Sequence, residues 1–245
     1  MKLSLPAAPL EVRQSIDSTA CHHLVSQHAI SIGPNGPTST NMQTSDEDQS
    51  RPRGAVGDPV QQRHREDTRL AQGQALSEIL FDAGREEQQA FAVLDGASVR
   101  GLVRAIETHG MDSSSLFEGA QDLSMERVAP RLVQLDRASG FTDWMLSRGW
   151  GRHWGILLQS QADMGTLLKH LRSMLMVESP TGALVLFRFY DPRVLRTYLP
   201  TCTAQEAETF LGPIEAVFLE SSDGNEALRF SLGHAGADLV SHPLG

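Results

Sequence analysis

The chain has 245 residues, 40% of them hydrophobic and 21% charged, with a net charge of −9 at neutral pH, enough for one sizeable domain with a tail or for two small domains. The acidic balance gives no electrostatic support to a nucleic-acid partner or to an anionic membrane surface. Two cysteines, Cys21 and Cys202, are too few for a disulfide framework. No signal-peptide core and no run of about 20 apolar residues is present, so a cytoplasmic location is expected.

Residues 1–66 are rich in Ser, Thr, Gln, Pro and Gly, and no aromatic residue occurs before Phe81. A segment of this kind cannot bury enough apolar surface to offset an ordering cost of about 1–2 kcal/mol per residue, and it reads as a disordered polar tail. Cys21, His22, His23 and His28 lie in it. They lack a second half with ligand spacing, so no metal site is expected there.

Order is expected from Asp67, giving one α/β domain over 67–245. Leu70, Ala71, Leu76, Ile79 and Leu80 form a helical stripe that ends near Gly84. Ala90 to Leu94 reads as a buried strand, followed by Asp95-Gly96 and a helix with Ser98 as its N-cap and Val99, Leu102, Val103 and Ile106 on one face. The same grammar returns with a strand over 131–135, a helix after Ser139, and a strand over 153–158. A helix capped by Asp163 follows, with Met164, Leu167, Leu168, Leu171 and Leu175 on its apolar face. His170 falls off that stripe and is expected in solvent.

Ser179 to Gly182 reads as a turn. Ala183 to Phe189 then reads as a central strand, apolar on both faces until Arg188. Asp191-Pro192 is a helix start, and Thr203 with Glu206 spells a capping box. Strands over 214–220 and 226–232 are joined through Asp223-Gly224 into a hairpin, and the residues after Gly233 read as a small polar tail. Alternating strands and helices closed by a hairpin predict an α/β fold, with a mixed sheet flanked by helices and an antiparallel C-terminal edge.

Three constellations bear on chemistry. Ser98 sits where a strand turns into a helix, and Asp191 and His234 follow in an order compatible with a hydrolase triad. The second glycine of a nucleophile elbow is missing, however, and capping explains the serine. The glycines of Gly149-Trp150-Gly151-Arg152-His153-Trp154-Gly155 precede a strand, so they do not form a phosphate cradle. Arg188 ends an apolar strand, where a buried charge needs a partner, and Asp95 and Asp191 are the candidates.

A set of strings in fixed order resembles a known family. They include Phe91-Ala92-Val93-Leu94-Asp95-Gly96-Ala97, Gly149-Trp150-Gly151, Trp154-Gly155-Ile156-Leu157-Leu158 and Phe210-Leu211-Gly212-Pro213-Ile214. The most telling is Phe187-Arg188-Phe189-Tyr190-Asp191-Pro192-Arg193. Over residues 90–220 the chain resembles the type VI secretion adaptors, the Tap or TEC effector chaperones catalogued as a domain of unknown function. The resemblance implies a non-enzymatic protein without cofactor or metal, which binds a secreted toxin effector and loads it onto the VgrG spike. Arg188, Tyr190, Asp191, Arg193, Asp95, Trp150 and Trp154 are the candidate partner-binding residues, tryptophan and arginine being frequent interface anchors. The other readings are a serine hydrolase built on Ser98, Asp191 and His234, and a structural component of the secretion machine.

Overall fold

A computed structural model describes residues 30–31, 59–81, 88–118, 123–178 and 182–245. Most of the expected polar tail, with its Cys-His cluster, lies outside these residues, as do the expected helix stop at Gly84 and most of the turn at 179–182.

In chain order the elements begin with β1 (Ile30–Ser31), α1 (Pro59–Leu80), β2 (Gln89–Leu94), α2 (Leu102–His109) and β3 (Ser113–Ser115). Next come α3 (Leu123–Val128), β4 (Arg131–Leu135), α4 (Gly140–Gly149), β5 (Gly155–Ser160) and α5 (Met164–Ser173). Then follow β6 (Met176–Glu178), β7 (Leu184–Leu186), α6 (Pro192–Tyr198) with a 3-10 turn at Leu199–Thr201, and α7 (Ala204–Leu211). The chain closes with β8 (Ala216–Glu220), β9 (Glu226–Leu232) and β10 (Ala237–Pro243). α1 thus starts eight residues before Asp67.

Seven strands form the main sheet in the order β10-β9-β8-β5-β2-β4-β3. The α/β class and the C-terminal hairpin are as expected, but every described strand pair is antiparallel, so the sheet is not of mixed direction. The physical reason lies in the order. Val93 of β2 is opposite both Leu132 of β4 and Ile156 of β5. β4 and β5, joined through α4, therefore run the same way, as a strand–helix–strand crossover should, but β2 lies between them. The three-serine β3, which carries no hydrophobic signal, supplies the extra pass that reverses β4 relative to β2.

The sheet is covered on both faces. Phe91, Val93, Ile156, Leu158, Val217, Leu219 and Phe230 face a core completed by α5, α6, α7 and strands β6 and β7 of a small sheet ordered β1-β7-β6. Alternate residues, Ala92, Leu94, Val133, Leu157 and Phe218, pack against α1, α2 and α4. This period-2 split explains why the strands read as nearly continuous apolar runs: both faces are buried.

Three local expectations are corrected. The apolar stretch at 183–189 is not a strand of the main sheet, although its β7 part lies in the middle of the small one. Only Leu184–Leu186 is strand, in a short hairpin with β6, and Phe187 and Phe189 fill the core from an irregular segment. The residues after Gly233 are not a tail, since β10 extends the sheet by seven residues. Ser98 is not a helix cap. α2 starts four residues later, after Gly101 in the left-handed conformation, because Asp95 draws the intervening turn onto itself. The caps predicted at Asp163 and Asp191 and the Thr203–Glu206 capping box are all present, and Ser139, after which a helix is expected, caps α4.

Candidate functional site

Five of the expected site residues, Asp95, Arg188, Tyr190, Asp191 and Arg193, converge at the end of the sheet where β2 and β8 finish and β5 begins. Asp95 follows the last residue of β2 and is buried. Its backbone N–H donates to the Trp154 carbonyl at 2.8 Å, which extends the β2–β5 ladder by one step. Its carboxylate accepts from the Ala97 N–H at 3.0 Å and from Ser98 Oγ at 2.8 Å. Gly96 is required here, because a Cβ at that position would lie 2.5 Å from the Ala129 carbonyl oxygen and 2.8 Å from that of Arg127.

Arg188 reaches across from the segment after β7 and donates through Nη2 to Asp95 Oδ2 at 2.8 Å, with Asp191 Oδ2 at 3.8 Å. The pairing foreseen from the strand-end charge is therefore made, with Asp95 as the near partner. The Arg188 guanidinium carbon lies 5.8 Å from the centre of the Tyr190 ring, within cation–π range. Burial works against the Arg188 charge, but Tyr190, Asp95 and Asp191 outweigh it and hold the pKa above the ordinary arginine value. Tyr190 is buried, and burial together with Asp95 pushes its phenol up to about 12 against the opposing pull of Arg188.

Asp191 caps α6 through Oδ1, which accepts from the Arg193 N–H at 3.0 Å. The Arg193 guanidinium grips the same carboxylate in a fork, Nε to Oδ1 at 2.9 Å and Nη2 to Oδ2 at 2.7 Å. Burial alone would raise the Asp191 pKa, but the hydrogen bonds from Arg193 and the charges of Arg193 and Arg188 bring it below the usual carboxylate value. Pro192 stands at the first helical position, where no N–H is needed. The Phe-Arg-Phe-Tyr-Asp-Pro-Arg string is therefore a clasp. Its aromatic rings enter the core, Arg188 ties to β2, and Asp191 starts a helix while Arg193 covers it.

Glu220, the last residue of β8, is a member that sequence reasoning missed. Its buried carboxylate accepts from the Gly151 N–H at 2.7 Å and the His153 N–H at 3.1 Å, and the His153 ring Nδ1 lies against it. Its carbonyl accepts from Arg196 of α6 at 2.7 Å. Glu220 thus ties the loop before β5 to α6. The available signal was the one that flagged Arg188: a charged residue closing an apolar strand.

The tryptophans are placed differently. The Trp150 indole N–H donates to the Gly224 carbonyl at 3.0 Å, and the Trp154 ring lies 5.0 Å from that of Trp144. Both are half-buried and pack into the core on the α1, α2 and α4 side. Their rings do not join the Arg188 cluster, which they touch only through the Trp154 carbonyl.

Ser98, Asp191 and His234 are not assembled into a triad. Ser98 donates to Asp95, Asp191 is held by Arg193, and His234 lies exposed in the turn between β9 and β10. That turn is at the opposite end of the sheet. Ala227 pairs with Glu220 at the site end, and Leu232, five residues on, is about 17 Å away at a strand rise of about 3.3 Å per residue. The open groove of about 560 Å³ lined by His109, Met111, Asp112, Gln134, Asp136 and Ser139 is also remote from Arg188, at the end of β4 far from Asp95. Among the described residues no cluster of His, Cys, Asp and Glu is arranged to hold a metal ion.

The clasp and strand β2, to which Arg188 ties it, lie within the part of the chain that matches a family. Residues 90–209 match the model of a domain of unknown function, DUF4123. The match covers just under half of the chain and takes in Asp95, Trp150, Trp154 and the whole clasp from Phe187 to Arg193, while Glu220 and strands β8 to β10 fall outside it. No curated protein and no solved structure matches the chain. No helix among the described residues is long and apolar enough to cross a membrane.

Proposed function

We propose that this chain is an adaptor that binds a type VI secretion effector and delivers it to the VgrG spike, with the face around the clasp as its docking region. The observation that carries the reading is the DUF4123 match over 90–209, which takes in all but the last of the ordered strings that resemble the type VI adaptors. The geometry is compatible with holding a partner without reacting with it. The carboxylates of Asp95, Asp191 and Glu220 are each occupied by donors within the chain, and the one serine at the site is spent as a donor to Asp95. Arg193, more than half of whose side chain is exposed, and the partly exposed Arg188 present positive charge from an otherwise acidic protein. That contrast favours an acidic patch on the partner.

The test is capture of partners from the native bacterium by the tagged full chain, identified by mass spectrometry. Recovery of a spike protein together with a toxin is expected. Arg193→Ala leaves Asp191 its backbone donor and is expected to weaken capture while the thermal midpoint stays within a few degrees. If well-folded wild-type protein recovers neither a spike protein nor a toxin, the adaptor reading is wrong. If Arg193→Ala and Arg188→Glu, both folded, capture as much as wild type, the docking region lies elsewhere.

A further inference from the structure

The two edges of the main sheet are unlike. β3 is three serines long, whereas β10 runs for seven residues with β9 on one side and no described strand on the other. An exposed edge of that length is normally blunted by lysine, a bulge or a covering segment. β10 has no lysine, pairs with β9 in unbroken register from Ala237–Leu232 to Pro243–Glu226, and carries a proline only at its end. Leu239 and Val240 are 51% and 47% exposed, and Leu232 beside them is 52% exposed.

The hydrogen-bond phase of this edge follows from its flanks. Gly233 donates to the Gly236 carbonyl, and Leu244 donates to that of Asn225. The paired positions alternate from there, so Asp238, Val240 and His242 direct their backbone groups to β9. Ala237, Leu239 and Ser241 direct theirs outward. The sequence Asp238-Leu239-Val240-Ser241-His242, set against its own reversal about Val240, places a carboxylate opposite an imidazole at both ends. An antiparallel copy centred on Val240 would place Leu239 opposite Ser241, both with free N–H and C=O groups. Val240 would meet its own copy and Asp238 would lie opposite His242, at the close non-hydrogen-bonded positions where side chains approach best. His242 Nε2 is buried and has no hydrogen-bond partner among the described residues, and the Asp238 carboxylate leans over Gly233 without an ion-pair partner there.

We infer that β10 is a self-complementary edge through which two copies of this chain pair, the two-fold axis passing through Val240 and the two sheets joining into one. A single strand pair is small beside the roughly 1,200–2,000 Å² of a standard stable interface, so the dimer is a micromolar, concentration-dependent one. A second copy fits this edge better than an unrelated strand, because the same register pairs the outward hydrogen-bonding groups and sets each Asp238 carboxylate opposite an imidazole.

The experiment is light scattering over a concentration series of the full chain, combined with cysteine cross-linking in a Cys21→Ser background. The expected result is a rise from monomer to dimer mass, with Val240→Cys giving a dimer under mild oxidation and Leu239→Cys giving little. Asp238→Lys is expected to weaken dimerisation about tenfold, and the double variant Asp238→Lys, His242→Asp to recover most of it. A wild-type chain that stays monomeric to about 100 µM, beyond the micromolar range of affinity, overturns the proposal. So does a dimer cross-linked by Leu239→Cys but not by Val240→Cys. β10 amides that are protected from exchange only when another protein is added would assign the edge to that protein's strand instead.

Discussion

Arg188 is held between two carboxylates and a phenol, and its removal leaves Asp95 as a buried anion with only a serine and a backbone amide for company. Breaking one side of a largely buried pair is costly, and Arg188→Ala is expected to lose roughly 2–4 kcal/mol in urea unfolding. Arg188→Glu should lose more, since it adds a third anion beside Asp95 and Asp191. Tyr190 sets a pH dependence. Its native pKa of about 12 lies above the unfolded value near 10. The native state thus holds the proton more tightly, and the stability linked to this group is full below pH 10 and is lost as pH rises toward 12. Urea midpoints followed through that window should fall in wild type and fall less in Tyr190→Phe. The pairing of Arg188 was legible in sequence because a charge ending an apolar run must find an opposite one. The role of Glu220 was not, because its partners are backbone amides of a loop about seventy residues away.

The interlock between α5 and α7 was invisible in the sequence. His170 sits off the leucine stripe of α5, as its spacing says, yet it is not in solvent. Its Nε2 donates to the Phe210 carbonyl at 2.8 Å, at the end of α7. A Cβ on Gly212, whose φ is +48°, would come within 2.5 Å of its ring. The spacing gave the angle around the helix, but only the arrival of α7 decided that this angle is covered. Burial lowers the His170 pKa against the weaker opposing pull of that hydrogen bond. Below about pH 6.5 the unfolded chain takes up the proton first, so stability should fall as pH drops from there toward the lowered native value. His170→Asn should flatten that limb of a pH–stability curve. Gly212→Ala combines an unfavourable φ with a ring clash and should cost about 2 kcal/mol or more. The capping box of α7, by contrast, was readable in four residues, and Thr203→Ala should cost about 1 kcal/mol, measured by thermal or urea unfolding.

At the scale of the molecule, the sheet is a wall between two cores, and its interior strand β2 serves both. Phe91 and Val93 face one core, Ala92 and Leu94 the other, and all four are buried. Phe91→Ala removes a fully buried ring from the α5–α7 side, and a loss of about 3–5 kcal/mol is expected in urea unfolding. The clasp and the helix it starts are tied to the sheet end, through Arg188 to β2 and through Arg196 and Glu220 to β8 and the loop before β5. Any partner that docks there meets a surface already fixed in shape, which keeps the ordering cost of association low.

The sequence by itself determined the α/β class, most helix starts and the C-terminal hairpin. These depend on short-range physics: apolar period, a capping oxygen three residues from an amide, a turn pair between two strands. It also marked Arg188, Asp191 and Asp95 as one electrostatic unit. Only the tertiary structure decided which strand lies between β4 and β5, that Leu184–Phe189 leaves the main sheet, and that the residues after Gly233 build its outer edge. Each of these is settled by which apolar face meets which across the core. Hydrophobic burial rewards area and not sequence distance, so several arrangements share the same local pattern until the chain closes on one of them.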